Sequence, residues 1–120
     1  METPKIFESE YRFCLLLWDH EPVNSTRLAA LCKEQLGWSK ATTYTVIRRL
    51  AERGVLKNEN ATVTALVSKQ QCQESRLEEM VEETFEGSMP AFIAAFSRSR
   101  KLTSQELAQL RVLIDSYEEE

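Results

Sequence analysis

Residues 25–56 read STRLAALCKEQLGWSKATTYTVIRRLAERGVL, and this stretch decides the fold. It predicts two helices joined by the tight link Gly37-Trp38-Ser39, because glycine commonly ends a helix and serine commonly caps the next one. The second helix has an apolar stripe at helical spacing and ends at Gly54. The stripe consists of Thr43, Val46, Ile47 and Leu50. Two helices in this arrangement predict a helix-turn-helix.

The flanking residues extend this unit to a winged helix. Residues 8–20 predict a preceding helix, whose inward face is formed by Tyr11, Cys14, Leu15 and Trp18. Residues 55–57 and 62–66 predict two short strands joined by the turn-rich residues 58–61. Three helices followed by a two-stranded ribbon is the order of a winged helix-turn-helix, which places its third helix in the major groove of DNA. We therefore predict a mainly α chain with a winged-helix DNA-binding domain over residues 1–67.

Residues 68–120 predict helices only. The capping boxes Ser68-x-x-Gln71 and Thr103-x-x-Glu106 open two of them, and a third begins near Pro90. A lobe of about fifty residues hardly buries so many apolar side chains alone, which predicts a helical dimerisation domain. The alternative is that these side chains fold back on the winged helix as one core. The residues assigned to the dimer interface are Leu77, Met80, Val81, Phe85, Phe92, Ile93, Phe96, Leu107, Leu110 and Ile114.

The composition and charge of the chain limit the classes of molecule that it can bind. The chain has 120 residues, of which 42% are apolar and 28% charged, so it is not an intrinsically disordered chain. Residues 1–67 hold nine Lys and Arg against eight Asp and Glu, whereas residues 68–120 hold six against eleven. An acidic protein binds nucleic acid only through a local basic patch. The most basic stretch lies between Ser39 and Arg53, with four cations and one anion.

The sequence contains no pattern typical of an enzyme, a metal site or a cofactor site. Its cysteines are Cys14, Cys32 and Cys72, without a CxxC pair, and its only histidine is His20. We expect the cysteines to be small core residues. There is no Ser/His/Asp order and no glycine-rich phosphate loop. The longest apolar run, residues 13–18, is far shorter than the roughly 20 residues that span a bilayer, and no leader is evident, so we expect a cytoplasmic protein.

The motif Trp38-Ser39-x-x-Thr42-x-x-Thr45-x-Ile47-x-Arg49-Leu50, followed by Arg53-Gly54-Val55-Leu56, resembles the recognition region of the penicillinase-repressor family of transcriptional regulators. Glu10-Tyr11 and Leu16-Leu17-Trp18 are similar to the first helix of that family. Phe92, Phe96 and residues 102–110 are similar to its tail, so the resemblance covers nearly the whole chain. It implies a homodimeric repressor that binds palindromic operator DNA and blocks transcription.

The resemblance also implies a set of DNA contacts. Thr42 and Thr45 would contact bases or nearby phosphates, and the neighbouring arginines would anchor phosphates. Tyr44 stands where members often have a basic residue, so the operator need not be the usual one. The wing is short and carries a single lysine, so we expect weak wing contact. The implied contact residues are Ser39, Lys40, Thr42, Tyr44, Thr45, Arg48, Arg49 and Lys57.

Several alternatives stay open at this point. A winged helix that serves only as a protein-interaction module would share these features, and the acidic total charge and short wing favour it. The sequence does not separate repression from activation. Some relatives are released by a regulatory protease, commonly at an Asn-Phe bond; the matching bond here is Ala95-Phe96, which lacks the asparagine. Copper-responsive relatives carry a carboxy-terminal cysteine cluster, and no cysteine follows Cys72, so we expect no metal switch.

Overall fold

The computed structural model describes residues 3–117, and within that range the chain is mainly helical with a small antiparallel sheet. The predicted winged helix followed by a helical region is confirmed. The elements are α1 (Glu8–His20), β1 (Val23–Asn24), α2 (Ser25–Leu36), α3 (Lys40–Glu52), β2 (Leu56–Glu59), β3 (Thr62–Ala65), α4 (Lys69–Phe85), α5 (Met89–Ser99) and α6 (Ser104–Ser116).

The predicted stop at Gly37 and the predicted cap at Ser39 are confirmed, and Asn24 caps the start of α2. The side chain of Asn24 accepts the N–H of Thr26 at 2.8 Å, and Ser39 Oγ accepts the N–H of Thr42 at 3.1 Å. Gly37 ends α2 with φ 71° and donates its N–H to the carbonyl oxygens of the last helical turn. A left-handed residue at this position favours glycine, which has no Cβ to clash. Local sequence chemistry therefore fixes both ends of the link.

The core of the winged helix is built on the apolar stripe of α3. All four predicted stripe residues of α3 are buried. In α1 the predicted inward face is partly wrong, because the buried residues are Glu10, Phe13, Cys14 and Leu17. Tyr11 and Trp18 are only half-buried, since each has a polar tip. The indole N–H of Trp18 donates to the carbonyl oxygen of Val67, a buried core residue, at 2.9 Å.

All three cysteines are buried and free, as expected for small core residues. Burial raises the pKa of each thiol, and it raises the pKa of Cys14 to about 12. A thiol in such surroundings stays protonated near neutral pH and is a poor nucleophile. The cysteines therefore contribute packing to the fold.

The wing strands pair as predicted, and the structure adds a third strand. The sheet order is β1-β3-β2, with Val23 opposite Val63. The sequence did not predict β1, because two residues are too few for an alternating pattern. The hairpin between β2 and β3 turns on Asn60 and Ala61, with φ 52° and 62°, and is therefore tighter than the predicted four-residue link. The carbonyl of Ala61 accepts the N–H of Ser25 at 2.8 Å.

The chain divides into two compact units, Met1–Leu77 and Glu78–Glu120, and the division falls within the sequence of α4. The predicted functional boundary after Val67 remains a prediction. In the second unit the predicted capping box is present, because Thr103 and Glu106 exchange hydrogen bonds. The Thr103 backbone N–H donates to the Glu106 carboxylate and lowers its pKa. Within residues 3–117, no helix is both long and apolar enough to cross a membrane.

Replacement of Ala61 by glycine tests the turn. A left-handed alanine costs about 1 kcal/mol, so Ala61→Gly is expected to raise the free energy of unfolding by roughly 0.5–1 kcal/mol. Urea unfolding followed by circular dichroism measures the change. The matched control is Ala30→Gly on the exposed side of α2, which should lower stability by about 1 kcal/mol. A loss of stability in Ala61→Gly would contradict the turn conformation.

Candidate nucleic-acid interface

The exposed side of α3 is fixed by the burial of its stripe. Since successive helical residues are about 100° apart, Arg48 and Thr45 lie opposite the buried side chains. Thr42 and Arg49 lie along one edge of this face, and Lys40 and Tyr44 lie along the other. Among the predicted contacts on α3 and its cap, Tyr44 and Thr45 are half-buried and the rest are exposed. The helix thus presents hydroxyl groups and cations together on one surface.

The Thr42 edge begins with a pair of hydroxyl groups. Ser39 Oγ accepts the Thr42 N–H and donates its own hydrogen to Thr42 Oγ1 at 2.9 Å. The hydroxyl of Ser39 therefore makes its hydrogen bonds within the helix cap. Thr42 keeps its hydroxyl hydrogen for donation to an acceptor outside the helix, such as a phosphate oxygen or a base edge.

The opposite edge connects α3 to the start of α2. The ammonium group of Lys40 lies 5.9 Å from the centroid of the Tyr44 ring. Hydrogen bonds from Thr26 and then Ser25 lower the pKa of the Tyr44 hydroxyl. Thr26 was not among the residues predicted for this surface. The polar run Asn24-Ser25-Thr26 at the start of α2 is the feature of the sequence that could have indicated it.

Arg53 is not part of the exposed basic surface, although it lies in the most basic stretch of the sequence. Its Nη1 donates to the carbonyl oxygen of Lys5 at 2.8 Å, and its Nη2 forms an ion pair with Glu10. Its guanidinium also lies 4.9 Å from the centroid of the Phe7 ring. Glu10 is only 6% exposed, so this pair belongs to the packing of α1 against the end of α3. The exposed cations of α3 are Lys40, Arg48 and Arg49.

The comparison with protein families identifies the family of the chain. The family model described as penicillinase repressor matches residues 6–116. The chain belongs to the penicillinase repressor family. Members of this family are DNA-binding transcriptional repressors without enzymatic activity, so the chain is a DNA-binding repressor and not solely a protein-interaction module. A search of curated proteins gave no significant match.

The wing of this repressor, formed by β2 and β3, contains one lysine, and a carboxylate lies near it. Lys57 is exposed on β2, and its ammonium lies 3.9 Å from a carboxylate oxygen of Glu59. An exposed pair of this kind is weak and is screened by salt. Any contact between Lys57 and a phosphate would require the ammonium group to leave the Glu59 carboxylate. Of the wing and α3, it is therefore α3 that carries more exposed cations.

The residues assigned to dimerisation differ in how exposed their side chains are. Val81 is buried within the chain, and Met80, Phe85, Phe92 and Leu110 are half-buried. The rings of Phe85 and Phe92 meet edge to face at 5.7 Å. Neither α5 nor α6 contains a buried residue. The predicted interface residues that are exposed in the chain are Leu77, Ile93, Phe96, Leu107 and Ile114.

Two arginines of the same region are expected to differ in their effect on stability. Arg53→Ala leaves the buried Glu10 carboxylate without its partner, so the free energy of unfolding should fall by about 2–3 kcal/mol, somewhat less than for a fully buried pair. Arg49→Ala removes an exposed side chain and should change stability by less than about 0.5 kcal/mol. Urea unfolding measures both. Equal stability of the two variants would contradict a packing role for Arg53.

Proposed function

We propose that the chain binds two-fold symmetric operator DNA as a homodimer, with one α3 in the major groove at each half-site. The observation that carries this proposal is the difference in exposure between the arginines on α3 and the arginine that follows it. Arg48 and Arg49 are exposed beside threonine hydroxyls, whereas Arg53 is held inward by Glu10. Exposed cations next to short hydroxyl side chains are suited to hold phosphates and to read base edges.

The contact residues take different roles in this proposal. Thr42 and Thr45 donate to bases or nearby phosphates, and Arg48 and Arg49 anchor the phosphate backbone. Lys40 adds a phosphate contact from the opposite edge, with Tyr44 beside it. Ser39, Tyr44 and Lys57 complete the set of contacts that we propose, with Ser39 acting through the helix cap and Lys57 contributing least.

The second unit is proposed to join two protomers. The apolar side chains of α6 at positions 107, 110 and 114 are spaced by three and four residues, so they lie on one side of the helix. Ile114 is 70% exposed, and α5 adds the exposed Ile93 and Phe96. Exposed apolar side chains repeated along one side of a helix, as on α6, are typical of an interaction surface. A two-fold dimer would also match the two-fold symmetry of a palindromic operator.

Release by a regulatory protease and a cytoplasmic location remain proposals. The bond that a protease would cut by analogy, Ala95-Phe96, lies inside α5. Its backbone is helical, and the carbonyl of Phe96 accepts the N–H of Arg100 at 3.2 Å. Cleavage there would require α5 to open locally, because a helical segment must unfold before it can be cut.

DNA binding is tested by fluorescence anisotropy. The probes are DNA from upstream of the chain's own gene and a scrambled duplex, each at several salt concentrations. Arg48→Ala and Arg49→Ala should each weaken binding and reduce the slope of log K against log[salt] by about 2, because each removes one phosphate contact at both half-sites of the dimer. Lys101→Ala, which removes an exposed cation between α5 and α6, is the control and should keep the wild-type slope. An unchanged slope in both arginine variants would refute the assigned contacts.

Dimerisation is tested by two substitutions on one helix. Ile114→Glu places a charge in the proposed interface and should convert the dimer to a monomer in sedimentation experiments, with weaker binding to a two-half-site duplex. Val112→Glu is the matched control, because Val112 is 68% exposed but lies on the other side of α6. If both variants remain dimers, the proposed interface is wrong.

A further inference from the structure

The exposed start of α3 contains a short chain of hydrogen bonds. The N–H of Thr42 donates to Ser39 Oγ at 3.1 Å, and Ser39 Oγ donates to Thr42 Oγ1 at 2.9 Å. In such a chain each hydroxyl accepts one hydrogen and donates another, which strengthens the neighbouring bonds. Because the hydrogen between the two oxygens belongs to Ser39, the hydrogen of the Thr42 hydroxyl points away from the cap.

Thr42 occupies a position that stabilises the helix start elsewhere in the chain. Three positions after their caps, α4 and α6 carry Gln71 and Glu106. The side chains of these two residues accept the backbone N–H of Ser68 and Thr103, which completes a capping box at each helix. In α3 the same position holds a threonine, whose hydroxyl bonds to the side chain of the cap instead. Helix stability alone therefore does not explain the residue at position 42.

The neighbours of Thr42 on the surface of α3 are suited to a ligand that accepts hydrogen bonds. Thr45 and Arg49 follow Thr42 by three and seven positions, so they lie on the same side of the helix. Arg49 is exposed, and a guanidinium carries donors only. Together with the outward hydrogen of Thr42, this side of α3 matches a surface that presents acceptors.

DNA presents hydrogen-bond acceptors in its phosphate groups and along the major groove. The groove acceptors are N7 and O6 of guanine, N7 of adenine and O4 of thymine, whereas the amino group of cytosine is a donor. To accept from cytosine, Thr42 would have to turn its hydroxyl hydrogen toward Ser39, which already directs its own hydrogen to Thr42. The hydroxyl of Ser39 therefore favours an acceptor over a donor as the partner of Thr42.

We propose that Ser39 is a positioning residue for operator recognition: by donating its hydroxyl hydrogen to Thr42, it makes Thr42 a hydrogen-bond donor toward the DNA, so that the half-site must present an acceptor at this point. The role of Ser39 rests on the proposed binding of operator DNA by α3. Ser39 itself donates nothing to the DNA. The acceptor is a phosphate oxygen or an acceptor on a base edge, and the two sources are distinguished experimentally.

The DNA partner of Thr42 is identified first. The full-length wild-type chain selects an operator from a random duplex library. In modified duplexes one base then lacks a major-groove acceptor, or one phosphate is replaced by methylphosphonate, at matching positions of both half-sites. At the partner atom the modification should weaken wild-type binding by about tenfold or more, because two hydrogen bonds are lost. The same modification should weaken binding of Thr42→Val at least about fivefold less, because that variant has no hydroxyl to donate.

Substitutions of Ser39 then test its positioning role. Ser39→Asn keeps the helix cap, because asparagine caps as well as serine, but it has no hydroxyl hydrogen for Thr42. The loss of affinity caused by the identified DNA modification should be smaller in Ser39→Asn than in wild type by about threefold or more. Ser39→Thr retains both the cap and the hydroxyl and should show the wild-type loss. A residue that only capped the helix would leave this loss unchanged in both variants.

Two further variants complete the test. Ser39→Asp also caps the helix, but a carboxylate only accepts, so the Thr42 hydrogen turns toward it and the loss of affinity should match that of Thr42→Val within about twofold. Ser88→Asn alters a serine that caps α5 by accepting the N–H of Ala91 at 3.1 Å. It is the matched control and should show the wild-type loss. Unfolding curves identify the temperature range in which every variant is folded.

The outcomes separate the role of Ser39 from the function on which it rests. Failure of wild type to select any duplex would overturn the proposed operator binding, and the role of Ser39 with it. A selected operator at which no loss of an acceptor distinguishes wild type from Thr42→Val would overturn the donor role of Thr42. An identified acceptor whose removal has the same effect in wild type, Ser39→Asn and Ser39→Asp would mean that Ser39 only caps α3, with operator binding intact.

Discussion

Burial of one side of α3 is the constraint on which the exposed basic surface of this helix depends. Four side chains, from Thr43 to Leu50, enter the core, and their burial fixes the rotation of the helix about its own axis. The ion pair between Arg53 and Glu10 then holds the end of the helix against α1. Because the rotation of α3 and the position of its carboxy-terminal end are both fixed, Arg48 and Arg49 face outward. The same packing that stabilises the winged helix thus presents its basic surface.

The two compact units solve the problem of apolar burial differently. The first closes a core around Phe13, Leu28 and Leu50, each fully buried. The second leaves α5 and α6 without a buried residue and keeps large apolar side chains exposed. A unit of this kind gains most by associating with another surface.

Much of the fold could be predicted because its signals are local. The caps at Asn24 and Ser39, the glycine stop at Gly37 and the capping box at Thr103 each involve residues two to five positions apart. The stripe of α3 follows from helical periodicity alone, and the family resemblance was confirmed over residues 6–116. The rotation of α1 was predicted less well, because Tyr and Trp carry both apolar rings and polar tips. Periodicity does not decide which end of such a side chain is buried.

The sequence by itself determined the order of helices, the caps and the helix that carries the basic surface, since each depends on neighbours within one or two helical turns. Only the tertiary structure decided which cations are free. Arg53 pairs with Glu10, 43 residues away, and Arg76 pairs with Glu8, 68 residues away. The two-residue strand β1 exists only because β3 lies beside it. Contacts of this range depend on how the elements pack, and no local pattern along the chain encodes them.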